Sequence, residues 1–225
     1  MDRNMYNKIK TCIINNDATE MIQLLDSGLD PNFEGGWPIR LAARHGSCSI
    51  VKTLLDYGSN PHLLSESGAS TLQLAVYSRK HWFSDKWCFL LSSCDSSQLA
   101  DGAAVAIIFQ NIAALEKIVG TGRCNTNIPT SLTGKTVEDL AKGYKLQHIF
   151  DTLTENQVRY LTPHSSPRVT HNSRDTRAAL TPTQEPIRNI RNLSPSVAQF
   201  FNQTSTSTPR SNLVVISPTT EHIHI

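Results

Sequence analysis

The side chains of this chain best suited to hold a metal or attack an electrophile are its five cysteines and eight histidines. Their spacing suits them to neither task. Cys88 and Cys94 lie six positions apart, whereas zinc-binding cysteine pairs are separated by about two to four residues. Cys12, Cys48 and Cys124 fall at helix or turn positions where a small buried residue is ordinary. His222 and His224 offer two ligands and no third. Thr133-Gly134-Lys135-Thr136 resembles the end of a phosphate-binding loop, but Pro129 occupies the place of that loop's first glycine and no strand pattern precedes it. An odd number of cysteines without a CxxC pair also argues against a disulfide framework and a zinc knuckle. The chain is therefore expected to have no catalytic, cofactor or metal site, and to be a reduced, cytoplasmic protein with the nucleus also open to it.

The elements that position the remaining chemistry follow from composition. The chain has 225 residues, a net charge of +2 and 18% charged residues. That density is too low for a nucleic-acid surface. No apolar run is long enough to span a bilayer, and the polar segment Met1 to Lys10 is no secretory leader. Composition breaks near residue 155. All nine lysines and all three tryptophans precede the break; seven of the eleven prolines and nineteen Ser or Thr follow it. The apolar residues after the break are too scattered to offset the entropy of folding. The expectation is a folded domain over 1–154 and a disordered tail over 155–225.

Within the first segment the sequence repeats. Leu24-Leu25-Asp26-Ser27-Gly28-Leu29-Asp30-Pro31-Asn32 aligns without gaps on Leu54-Leu55-Asp56-Tyr57-Gly58-Ser59-Asn60-Pro61-His62. Each reads as a helix end, a glycine in the left-handed region and an Asx-Pro turn. Trp37-Pro38-Ile39-Arg40-Leu41-Ala42-Ala43 starts one unit. Ser70-Thr71-Leu72-Gln73-Leu74-Ala75 starts the next, 33 residues later. Ala103 to Ile107 and Thr136 to Ala141 continue the step.

A unit of this length, opened by a motif like T-P-L-H-x-A, resembles the ankyrin repeat. The stretch Trp37 to His62 carries the resemblance best, with Gly46 between its helices and Ile50, Val51, Leu54 and Leu55 on the second helix. The resemblance implies an all-α fold, a solenoid of stacked helix–turn–helix units with β-turn fingers, over five units at about 5–36, 37–69, 70–99, 100–133 and 134–153. Asn16 replaces the inter-helix glycine of the first unit. The third carries an insertion, Arg79 to Trp87, and lacks a terminal glycine near Ser93. The family's histidine, which ties neighbouring repeats together, is here Arg40, Gln73, Ala106 and Asp139, so the stack is expected to be less regular than a consensus array.

The family binds protein partners through a concave face of fingers and first helices. In this sequence the matching fingers are Phe33 to Trp37, Leu63 to Ala69 and Asn127 to Thr133, and the matching helix positions Arg40, Arg44, Gln73 and Tyr77. Candidate contacts are Trp37, Arg40, Arg44, Glu66 and Tyr77, Trp and Arg being the residue types most often found as hot spots. For Trp37 the alternative is plain packing; for Arg40 it is a bond to a neighbouring carbonyl in place of the missing histidine. In the insertion, Phe83 and Trp87 are at helical spacing and are expected to face the core, leaving Trp82 as an exposed contact. Six tail prolines follow Thr162, Ser166, Thr181, Ser194, Thr208 and Ser217, which makes these six candidates for a proline-directed kinase. Val197, Phe200 and Phe201, and separately Leu213 to Ile216, are segments that could order on a partner. Neither the apolar runs nor the tail's charge points to a membrane. The expected function is that of a monomeric, non-enzymatic module that binds, masks or scaffolds a protein partner, similar at family level to inhibitor-of-NF-kappaB-like proteins. A ubiquitin-ligase substrate adaptor and a host-directed viral or bacterial effector are the alternatives.

Overall fold

The computed structural model describes residues 3–161. Among them every regular element is helical, and the α-helices follow one another in five consecutive pairs. The first pair is α1 (Arg3–Asn15) and α2 (Ala18–Asp26), the second α3 (Phe33–His45) and α4 (Cys48–Asp56), the third α5 (Thr71–Ser78) and α6 (Cys88–Ser93), the fourth α7 (Ser96–Ile108) and α8 (Ile112–Gly120), and the fifth α9 (Val137–Gly143) and α10 (Gln147–Leu161). First helices stack in chain order, α1 on α3, α3 on α5, α5 on α7 and α7 on α9, while α2 packs on α4 and α8 on α10. The described residues are thus all-α, with a continuous row of first helices and second helices packed on one another at either end.

The sequence repeat reappears as repeated backbone bonding. Four inter-helix turns pass through one left-handed residue, Asn16 (φ 54), Gly46 (φ 72), Gln110 (φ 53) and Lys145 (φ 60). In each, the next amide reaches back to the carbonyl five residues earlier: Asp17 to Cys12 at 2.9 Å, Ser47 to Ala42 at 2.9 Å, Asn111 to Ala106 at 2.8 Å and Leu146 to Ala141 at 2.8 Å. This is the helix-closing bond that a left-handed residue permits. The second helices of the first two units end the same way at Gly28 and Gly58, with Leu29 bonding Leu24 at 3.0 Å and Ser59 bonding Leu54 at 2.8 Å. Beyond them, the amides of Asn32, His62 and Asn127 bond the side-chain oxygens of Asp30, Asn60 and Asn125, the same Asx turn three times.

α3 has a kinked start. Glu34 (φ 49), Gly35 (φ 61) and Gly36 (φ 81) are all left-handed, so the regular helix begins beyond them, with Pro38 in its first turn. The core is continuous from Ile9 to Phe150. Leu54 is fully buried, as is most of α7 from Leu99 to Ile107.

Three boundaries differ from the sequence expectation. α7 begins at Ser96, ahead of the expected unit start at 100, and α10 runs to Leu161, beyond the composition break. The insertion forms a loop and a single 3-10 turn, Asp85–Trp87, in place of the first half of a second helix. The missing glycine after α6 is replaced by a side chain: the Arg123 guanidinium donates from Nη1 to the Cys94 carbonyl at 2.9 Å and from Nη2 to the Leu91 carbonyl at 2.6 Å. A cation at a helix C-terminus also complements the helix dipole. The six tail acceptors, Thr162, Ser166, Thr181, Ser194, Thr208 and Ser217, and the two tail segments lie outside the described residues.

Candidate functional site

The candidate contacts separate into three groups once folded. Arg40 leaves the surface. It is 8% exposed, and its Nη1 donates to the carbonyls of Gly35, in its own finger, and Leu63, in the next, the latter at 3.2 Å. The left-handed turn at 34–36 brings the Gly35 carbonyl within reach of the guanidinium, which thereby links two successive turns of the chain. Burial pulls its pKa down from the ordinary arginine value. Arg40 as a partner contact is therefore corrected to Arg40 as a staple between fingers. Gln73 is likewise buried: its side chain accepts from the Ser70 amide at 2.9 Å while its own amide donates to Ser70 Oγ at 3.2 Å, closing a capping box at the start of α5.

Trp82 is the second correction. It is 1% exposed, and Phe83, expected in the core, is 93% exposed. Residues 83 and 84 are loop and 85–87 a single 3-10 turn, so Phe83 and Trp87 do not share an α-helix face. The two indoles stack, centroids 5.7 Å apart. Their N–H groups find carbonyls, Trp82 Nε1 that of Ala75 at 3.0 Å and Trp87 Nε1 that of Lys80 at 2.8 Å. Two large apolar rings with satisfied donors make a plug for the shortened third unit.

What remains on the first helices is an aromatic strip with a cation in it. Arg44 and Tyr77 are 33 residues apart, one repeat, which places them at equivalent positions on α3 and α5. The Arg44 guanidinium lies 4.9 Å from the centre of the Tyr77 ring, and Phe109 from the end of α7 meets Tyr77 edge-on at 5.0 Å. Arg44, Tyr77 and Phe109 are each half-buried. Nearer the fingers, half-buried Trp37 packs edge-on against Tyr6 at 5.3 Å and Phe33 at 6.5 Å, and Tyr6 meets Phe33 at 5.0 Å. The Tyr6 hydroxyl lies beside Glu34, and burial followed by that carboxylate pushes its pKa up to about 12. Glu66 stands exposed in the segment Leu63 to Ala69.

Sequence reasoning missed Phe109 and Tyr6. Phe109 lies 32 residues beyond Tyr77, one short of the repeat, and the displaced register hid it. Among the described residues no three His, Cys, Asp or Glu side chains are grouped to hold a metal ion. Burial pushes the thiols of Cys12 and Cys94 up to about 11 and that of Cys124 up to about 12, where a thiolate nucleophile is not formed at neutral pH. No helix among the described residues is long and apolar enough to cross a membrane. No family model matches the chain, and no curated protein matches it either.

Proposed function

We propose that this chain is an ankyrin-type repeat solenoid that binds a protein partner on the face formed by its first helices. The observation that carries this reading is the strip Arg44–Tyr77–Phe109, contributed by three successive first helices at near-equivalent repeat positions. Tyr and Arg in half-buried, mutually braced positions lose little side-chain entropy on binding, which is what makes such residues hot spots. The aromatic ring beneath Arg44 orients its guanidinium, and a planar fork held this way suits a carboxylate of the partner. Trp37 with Tyr6 extends the apolar surface toward the fingers. Arg40 serves this face indirectly, by fixing the spacing of two fingers. Phosphorylation of the six Ser/Thr-Pro sites of 155–225 is the regulation we assign to that segment, since each phosphate would change its charge by nearly two units.

A photo-crosslinking residue placed at position 77 of the full chain, and separately at exposed Ile22 on α2, tests the reading. Crosslinks to a defined polypeptide from position 77 and not from position 22 support it. The same adducts from both positions, or from position 22 alone, overturn it.

A further inference from the structure

The inter-helix turns form the edge of the stack at the far end of the first helices from the fingers, and side chains tie these turns into one surface. Ser47 Oγ donates to the Ile13 carbonyl at 2.8 Å, and Ser49 Oγ to Asn16 Oδ1 at 2.9 Å. The Lys80 stem lies on Gly46, so closely that a Cβ there would stand 2.5 Å from Lys80 Cβ. Asn111 Nδ2 donates to the Val76 carbonyl at 2.9 Å.

This edge gathers cations. Lys10, Arg44 and Lys80 converge on His45, whose pKa is lowered first by burial and then by these three charges. Lys86 bears in the same way on Cys48, and Arg79 and His81 flank Lys80. Among the described residues no carboxylate lies within ion-pair distance of Lys10, Arg79, Lys80 or Lys86. The edge's own acids are engaged: Asp17 accepts from the Glu20 amide, and Asp85 pairs with Lys117. The helix dipole explains cations in the last turn of α3, such as Arg44 and His45. It does not explain Lys80, which lies in the loop after α5, or Lys86, which lies in the single 3-10 turn just ahead of the N-terminus of α6. Between those two lysines Phe83 stands 93% exposed, on a loop held by the stacked, hydrogen-bonded indoles of Trp82 and Trp87.

We propose that this edge docks reversibly on an anionic membrane surface, with Phe83 entering the headgroup boundary and Lys10, Arg79, Lys80 and Lys86 facing lipid phosphates. A lone exposed aromatic cannot itself enclose a peptide, but it can enter a lipid interface without any matching pocket. Three cations in the segment after α5 and a fourth on α1 suit a laterally extended field of negative charge better than a single acidic side chain. The lack of long apolar runs does not bear on this surface, because folding assembles it from separate turns.

The test is co-sedimentation of the full chain with phosphatidylcholine vesicles and with vesicles that also contain phosphatidylserine. Sedimentation is expected with the second and not the first. Because the segment after 155 carries arginines of its own, the variants decide. Lys80→Gln and Lys86→Gln should each weaken partitioning about fivefold, and Phe83→Ser about tenfold or more, with unchanged melting temperatures. Equal binding to both vesicles, no binding to either, or full binding by all three variants overturns the proposal. Retention on poly-glutamate or duplex DNA without vesicle binding also overturns it, and assigns the edge to an acidic protein or a nucleic acid.

Discussion

Replacing Arg40 by Met removes two hydrogen bonds while keeping most of the aliphatic stem, and so isolates what the guanidinium does. In the native chain Nη1 serves the Gly35 and Leu63 carbonyls from a buried position. Hydrogen bonds from a charged donor are worth about 1.5–3 kcal/mol each when nothing replaces them. Here water replaces part of the loss, because Gly35 is exposed and Leu63 half-exposed. The net cost should be about 1–3 kcal/mol in total, the bond to Leu63 contributing most. For a chain of this size that lowers the melting temperature by about 2–4 °C per kcal/mol. Arg40→Lys keeps the charge and one donor and should fall between wild type and Arg40→Met. Hydrogen exchange supplies the local signature. In a repeat stack each unit depends on its neighbours alone, so amides of the two fingers, Gly36 and Ala69 among them, should exchange faster while those of α9 do not change. A melting temperature within about 1 °C of wild type, or faster exchange spread evenly over all five units, would refute the staple.

Three further outcomes follow from the same geometry. Leu54→Ala should cost about 2–5 kcal/mol, since its side chain is fully buried, and Trp37→Ala less, because Trp37 is half-buried at a surface that can relax; calorimetric melts rank the two. Gln110→Gly should raise stability by up to about 1 kcal/mol, because a non-glycine residue at φ 53 is strained there, whereas Gly46→Ala should destabilise, its Cβ meeting Lys80. His45 has its folded pKa lowered from 6.5, so its neutral form is the one the fold favours. That contribution is fully present above the unfolded value and is lost as pH falls through the lower folded value. Urea titrations from pH 7 down to pH 5 should therefore show a steeper loss of stability for wild type than for His45→Gln.

The parts of the fold legible in the sequence are those set by backbone chemistry. Gly28, Gly46 and Gly58, the Asx turns and Asn16 sit where their types predict, because few other residues adopt the left-handed or turn conformations required. α7 left only a faint repeat signal, since a helix buried on all sides has no amphipathic pattern. Trp87 is buried as its position suggested, but Trp82 and Phe83 were exchanged between core and surface, because spacing says which residues share a helix face only where a helix exists. Arg40 was ambiguous between surface and staple until the left-handed turn at 34–36 placed a carboxamide oxygen within its reach. Arg123 could not be seen as a helix cap at all, as its partners are about thirty residues away in sequence. Of the strip Arg44–Tyr77–Phe109, Arg44 and Tyr77 were recoverable from the repeat length, and Phe109 was not.

Binding to the partner captured from position 77, measured by calorimetry for wild type and Arg44→Glu, tests the central claim most directly. Arg44 is half-buried at the surface of the strip rather than in the core, so the charge reversal should leave the melting temperature within about 2–4 °C, the equivalent of about 1 kcal/mol. Affinity should fall at least about tenfold, or about 1.4 kcal/mol. Unchanged affinity in a variant that melts like wild type would contradict the assignment of the first-helix face as the binding surface.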